Sequence, residues 1–288
     1  MAEAGGGAVS DMNITLRKVD IDFSDATVHW NPDCPEFSHV FNAFSVVAPC
    51  VEPYLIKVIR QVKDKLPESE AEFKRELELF NAQEGRHYKV HTKFNVLLAE
   101  AGYPVGPAEE RLKADYRRFL ETKDLKFLVA YAEGFETLGP VLSGFFFDRS
   151  PELMKRWHEP SIFLWLWHVA EEYEHRHVVN RCWRILFNDA YWSRIYGLWY
   201  CLIHLFTFVL VESNRMINHD LATGRVKGRI RARWAYGKAL GGLMAYALPR
   251  IVFVACRPSY DPSKLPPLEK AMAILAETSK RYGILEPA

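Results

Sequence analysis

The chain has 288 residues, of which 49% are hydrophobic, 25% charged and 14% aromatic, and its formal net charge is +1. That composition can build a sizeable core in one large domain, and it lacks the basic excess of a nucleic-acid-binding protein. The five cysteines, Cys34, Cys50, Cys182, Cys201 and Cys256, show no zinc or redox spacing, which reads as reduced thiols in a cytoplasmic protein.

The start, "MAEAGGGAVSD", has no basic region followed by an apolar stretch, so it does not read as a signal peptide and is expected to be disordered. Residues 14–30, "ITLRKVDIDFSDATVHW", alternate well enough for a short hairpin or an extended arm. Residues 1–30 are read as a flexible N-terminal arm, and 31–288 as a single helical di-metal domain. "EFSHVFNAFSVVAPCVEPYLIKVIRQVKDKL" predicts one or two helices, with Pro49 and Pro53 bending or restarting the path. A long helix follows from Ser69 to Gly102. "DYRRFLETKDLKFLVAYAEGFETLGPVLSGFFFD" supplies a third, and "MKRWHEPSIFLWLWHVAEEYEHRHVVNRCWRILF" a fourth, giving a core bundle over about 36–190. Apolar helices occupy about 191–288. "GLWYCLIHLFTFVLV", 197–211, is short of the roughly 20 residues of a membrane span and is interrupted by His204. "WAYGKALGGLMAYALPRIVFVAC" is broken by Gly241, Gly242 and Pro249. Both are expected to be buried or to line a pocket; contact with a membrane or an apolar partner is the alternative. A proline-rich linker and an amphipathic helix end the chain.

Four of these helices carry ionisable groups at helical spacing. At about 100° per residue, Glu84, His87 and His91 fall at roughly 0°, −60° and −20°, and His168, Glu172 and His175 at roughly 0°, 40° and −20°. Glu133 and Glu136 share one side of the third helix, and Glu52 stands alone on the first. A Glu-x-x-His pair from each of two helices, with one Glu from each of two others, is the ligand pattern of di-iron carboxylate bundles. The pairs here are Glu84/His87 and Glu172/His175; the single carboxylates are Glu52 and Glu133 or Glu136. Four carboxylates balance two divalent cations, and imidazoles complete the coordination. A lone Glu-x-x-His is ordinarily a solvated face, but two of them amid apolar residues are not. Glu171 lies on the flank of its helix face. Glu174 and His177 point away and read as ordinary polar residues. His29, His39, His158 and His204 have no ligand-spaced partner. Phe145, Phe146, Phe147, Trp165 and Trp167 could wall an apolar pocket or simply pack, and Tyr88 and Tyr173 adjoin ligands where an electron relay could run.

"VEPYLIKVIRQV", "FNAQEGRHYKVHTKFN", "AYAEGFETLG" and "LWLWHVAEEYEHRHVV" resemble the family of predicted metal-dependent hydrolases, with Gln-Glu-x-x-His-x-x-x-His followed by Asn at Gln83–Asn95 and Trp-His-x-x-Glu-Glu-x-Glu-His at Trp167–His175. The resemblance covers about residues 30–215. It implies an all-α, ferritin-like four-helix bundle of the non-haem di-iron type, extended by C-terminal helices and a short N-terminal arm. The run 168–175 is also similar to the fourth-helix motif of arylamine N-oxygenases, where the extra histidine, here His168, is an iron ligand. Where the family's third-helix motif has His, this chain has Gly134; matching on Phe135 favours Glu133 over its neighbour Glu136 as the ligand. His91 belongs to the family motif, as a further ligand or a partner to one. The function expected on this reading is a di-iron monooxygenase, hydroxylating a hydrophobic small molecule of a natural-product pathway. It would use two iron ions, O2 and electrons from a separate reductase or ferredoxin-type donor. A two-metal hydrolase of an ester or phosphate, with manganese or zinc as alternative metals, is the rival. Ferritin-like iron storage is the third reading, and a homodimer is the base-rate assembly.

Overall fold

The computed structural model describes residues 14–285; the glycine-rich start lies outside them. The fold is all-α. Among the described residues eleven α-helices run in order: α1 (Pro35–Lys63), α2 (Ala71–Glu100), α3 (Val105–Thr122), α4 (Leu125–Glu136), α5 (Leu138–Arg149), α6 (Pro151–Lys155), α7 (Pro160–Glu174), α8 (Val178–Phe187), α9 (Tyr191–Thr223), α10 (Arg229–Arg250) and α11 (Glu269–Tyr282). A π-helical turn, Ile251–Ala255, prolongs α10.

α1 is the central element, packed by α2, α3, α4, α9 and α10. It continues as one helix through Pro49 and Pro53, with no restart at either proline. A proline cannot donate to the carbonyl four residues back. For Pro49 that carbonyl is Ser45 O, and Asn95 Nδ2 of α2 donates to it instead at 3.0 Å. Burial of the helix on all sides supplies the rest of its stability.

The third and fourth helical runs are divided more finely than the periodicity suggests. Asp124 restarts the chain as α4 by accepting from Phe127 N at 2.8 Å, an N-cap interaction. Pro151 and Pro160 stand at the first turns of α6 and α7. α7 stops at Glu174, so His175 is its C-cap residue rather than an interior one. The N-terminal arm forms no hairpin among the described residues: its one bridge joins Arg17 to Ile284. The arm is nevertheless anchored, with Trp30 fully buried and its Nε1 donating to Asn42 Oδ1 at 2.9 Å.

α4 crosses α9 at very close range. A Cβ on Gly134 would lie 2.8 Å from Leu198 Cα, and one on Gly197 would lie 2.5 Å from the Ala130 carbonyl carbon. Both positions require glycine for that approach. A larger side chain at position 134, an imidazole included, would meet the α9 backbone.

Of the expectation that the C-terminal apolar helices are buried or line a pocket, the burial is corrected to partial, while α10 contributes Gly242, Ala245 and Tyr246 to the lining of a cavity. By length and composition alone, α1, α9 and α10 with its extension could each cross a membrane, yet the most apolar stretch is 78% buried in α1, 33% in α9 and 28% in α10. α9 and α10 rest on the body with one face and turn large apolar side chains outward on the other.

The α4–α9 crossing yields a direct test. Gly134→His should lower stability by about 1–3 kcal/mol through overpacking, read as a drop in melting temperature of several degrees. An unchanged melting temperature would show that the crossing has room the structure does not.

Candidate metal centre

Four helices bring carboxylates and imidazoles to one fully enclosed place. Glu52 comes from α1, Glu84, His87 and His91 from α2, Glu136 from the end of α4, and His168, Glu172 and His175 from α7 and its cap. All are buried, and Glu84, His87, His91 and His175 are wholly inaccessible. Of three groups among the described residues whose ligand atoms lie within 4.8 Å of one another, two are here: Glu84, His87, Glu172 and His175, and Glu52, His87 and His168; the third is His29, His39 and Asp220.

Each imidazole is oriented from behind. His87 Nε2–H donates to Glu171 Oε2 at 3.0 Å, leaving Nδ1 turned inward, 3.7 Å from Glu172 Oε1 and 3.9 Å from Glu84 Oε1. His175 Nδ1–H donates to Glu136 Oε2 at 3.1 Å, leaving Nε2 3.2 Å from Glu84 Oε1. His168 is fixed by a longer relay. Asn95 Nδ2 donates to Ser45 O and Glu109 Oε1, so its Oδ1 must accept, and Ser45 Oγ–H donates to it at 2.7 Å. Ser45 Oγ therefore accepts from His91 Nδ1–H at 2.8 Å, and His91 Nε2 accepts from His168 Nδ1–H at 2.5 Å. His168 Nε2 is then a lone pair, 2.9 Å from Glu172 Oε1.

With each ring in the neutral form that ligates metal, His87 Nδ1, His168 Nε2 and His175 Nε2 face carboxylate oxygens; without a cation, protons on Glu52, Glu84 and His175 offset the crowding. Glu52 Oε1 and Oε2, Glu84 Oε1 and Oε2, His87 Nδ1, Glu136 Oε1, Glu172 Oε2 and His175 Nε2 are buried without a hydrogen-bond partner. Buried polar atoms ordinarily have one. Cations between them satisfy both deficits, so the donor set fits a metal centre on its own chemistry.

The proton affinities reflect the same crowding. Burial, then Glu172 and Glu136, raise Glu52 and Glu84 well above the ordinary carboxylate range. Burial, then Glu172, push Glu136 to about 7. Burial also acts upward on Glu172, but His175, His168 and His87 outweigh it and keep that carboxyl ionised. Burial and His168 lower His87 and His91. Burial opposes protonation of His175, yet Glu172 and Glu136 raise it to about 9.

Not every expected ligand joins the cluster. Glu133, favoured by alignment on Phe135, instead accepts from Asn180 Nδ2 at 3.0 Å and pairs with Arg194 at 3.5 Å. Glu136, one turn on, is the α4 carboxylate beside His175. His91 spends both nitrogens on Ser45 and His168, so it positions a ligand rather than adding one. Glu174 is no ordinary surface group: it is buried, pairs with Arg17 Nη2 at 3.0 Å and accepts from Gln83 Nε2 at 2.7 Å. His177 pairs with Glu76. Tyr88 is 38% exposed, and the Tyr173 hydroxyl donates to Pro266 O.

Sequence reasoning missed Arg17. From the N-terminal arm it holds Glu171 at 2.9 Å, and through it the His87 ring. It also missed a second cluster, in which His29 and His39 reach Asp220 Oδ2 at 2.6 and 2.7 Å and Tyr103 OH donates to Oδ1 at 2.7 Å. Asn42 Nδ2 donates to His39 Nδ1, so the proton of His39 sits on Nε2 and points at Asp220. This is a hydrogen-bonded latch between the arm, α1 and α9; residues too far apart in sequence for any spacing rule form it.

A family model matches residues 15–265, and the chain belongs to that family, the predicted metal-dependent hydrolases. No curated protein and no solved structure matches it. The family membership overturns the expectation of an oxygen-dependent di-iron monooxygenase: the family is described as predicted metal-dependent hydrolases, and the donor set speaks for metal but not for iron or O2. The sequence reading erred because carboxylate–histidine ligands suit any cation served by oxygen and nitrogen donors, so ligand pattern alone does not select a redox reaction.

Two outcomes are expected. Removing the carboxylate behind His87, as Glu171→Ala, should weaken metal binding by about 10–100-fold with helix content unchanged by circular dichroism; unaltered affinity would show that Glu171 does not orient the ring. The metal-free protein should lose stability as pH rises from about 6.5 to 9. Carboxyls with raised folded pKa values stabilise below their unfolded value of 4.5 and lose that contribution upward, and His175 loses its contribution through about 9. His87 and His91 have lowered values and are neutral in both states above 6.5, so they drop out of that window. Calorimetry of the metal-free protein at pH 6.5 and 9 reads the difference; a higher melting temperature at pH 9 contradicts the assignment.

Proposed function

We propose that the protein is a two-metal-dependent hydrolase acting on a carboxylic ester with an apolar acyl portion. The observation that carries this reading is the set of unpartnered lone pairs and carboxylate oxygens converging from four helices, in a chain of the metal-dependent hydrolase family. Glu84, His87, Glu172 and His175 would hold one cation, and Glu52 with His168 a second; His87, with one free nitrogen, can serve only one of them. Manganese, zinc and ferrous iron all suit this donor set. A bound pair of divalent cations supplies Lewis-acid polarisation of the substrate and activates water for attack near neutral pH.

The chain's own residues do the rest. Glu171, Glu136 and His91 hold the three ligand rings, so little reorganisation accompanies reaction. A narrow cavity of about 40 Å³ reaches His168 and Glu172, which share its wall with His91. The remainder of the lining is apolar and includes Phe44, Phe135, Leu138, Leu142 and Trp165. Such walls exclude bulk water from the reacting centre. They contain no Lys or Arg, which favours a neutral ester over a phosphate monoester, whose dianion calls for cationic side chains. Gly139 adjoins Glu172 so closely that a Cβ there would lie 2.8 Å from Glu172 Oε2.

The test is turnover of chromogenic esters of graded acyl length, with bis- and mono-phosphate esters alongside, after loading with manganese or zinc and with oxygen removed. Ester hydrolysis should persist without oxygen, and Glu84→Gln should lower kcat/KM by about 100-fold or more. Turnover of phosphate esters alone would overturn the ester assignment. Failure to hydrolyse either class with metal bound would overturn the hydrolase reading itself.

A further inference from the structure

The outward faces of α9 and α10 are apolar to a degree the metal centre does not explain. On α9, Trp192 is 79% exposed, Tyr196 59% and Ile203 64%; on α10 and its extension, Ile230 is 88% exposed, Trp234 71% and Phe253 65%. Trp192, Tyr196 and Ile203 follow at intervals of four and seven, the spacing of one helical stripe.

The segment that includes α10 is one-sided in charge. Between Asp220 and Asp261 the chain has no acidic residue, but it carries Arg225, Lys227, Arg229, Arg231, Arg233, Lys238, Arg250 and Arg257, although the whole protein has a net charge of only +1. All of these except Arg233 are exposed. Lys227, Arg229, Lys238 and Arg257 form no ion pair among the described residues. Exposed Trp, Ile and Phe flanked by Lys and Arg are the make-up of a helix lying in the interface of an anionic bilayer.

Two observations choose among occupants. A symmetric interface with a second copy would set this cationic segment against itself, a like-charge arrangement. A transmembrane course would pull the inner faces away from partners they hold. Arg194 donates to Ala255 O and Arg257 O, both at 2.9 Å, Glu212 pairs with Arg111, and Asp220 is latched by His29, His39 and Tyr103. The pair of helices therefore lies along a surface and does not cross it. α9 packs on α1 and α4, and α10 on α1 and α5, the helices that also furnish Phe44, Phe135 and Leu142 to the cavity wall.

From the exposed apolar faces and their cationic border we propose that α9 and α10 dock the protein onto an anionic phospholipid surface. The experiment is flotation of the metal-loaded full chain with vesicles of phosphatidylcholine alone and of phosphatidylcholine with phosphatidylglycerol, at low and high salt. The protein floats with the anionic vesicles, less so at high salt, and much less with the neutral ones. Lys227→Glu with Arg229→Glu reduces binding by about tenfold or more. Ile230→Asp with Phe253→Asp, at positions too exposed to be needed for folding, does the same while the melting temperature stays unchanged. Absence from anionic vesicles at low salt overturns the proposal, and so does equal flotation with both vesicle types. A stable dimer in solution that the Ile230→Asp, Phe253→Asp variant dissociates overturns it too, by assigning the face to a second copy. None of these readouts requires catalysis, so failure here is distinct from failure of the hydrolase reading.

Discussion

Lone pair against carboxylate is the constraint from which the rest of the structure follows. His87, His168 and His175 each commit one nitrogen to a group behind them, and in the neutral form that ligates metal each turns an unprotonated nitrogen toward Glu84 or Glu172. In a buried site such an arrangement is repulsive, and with Glu52 and Glu136 close by it leaves carboxylates that water cannot reach. Cations resolve it, and the folded chain spends much of its polar inventory keeping the arrangement in place.

That inventory reaches well beyond the donor atoms. Asn95 accepts from Ser45 through its Oδ1, which sets the tautomer of His91 and then of His168, and its Nδ2 also meets the carbonyl that Pro49 leaves unpaired on α1. One amide therefore serves both the continuity of the central helix and the direction of a metal-facing lone pair. Arg17 does comparable work from the other end of the sequence, neutralising Glu171 and Glu174 so that two more buried carboxylates can be tolerated beside the centre. The N-terminal arm is thus part of the site.

The ligand-bearing faces of α2 and α7 were legible because helical periodicity places Glu84 with His87 and His168 with Glu172 without reference to tertiary structure. The α4 carboxylate was not. Choosing between Glu133 and Glu136 depends on how that helix is rotated, and the Gly134–α9 contact, invisible in the sequence, sets the rotation. Periodicity groups His175 with His168 and Glu172 as if the helix were continuous, although the helix ends just before it. Arg17 and the His29–His39–Asp220 latch gave no signal, since their partners lie more than 150 residues away. The reaction class was misread for a different reason: donor chemistry fixes charge and coordination, while hydrolysis or oxidation depends on the metal and on what reaches it.

The most direct measurement is the metal content of the purified protein by plasma mass spectrometry, taken together with Glu84→Gln and Glu172→Gln. A two-metal centre holds about two divalent ions per chain, tightly bound, with at least one lost in each variant while the fold persists. A protein that binds no stoichiometric metal, or variants that retain the full complement, would contradict it.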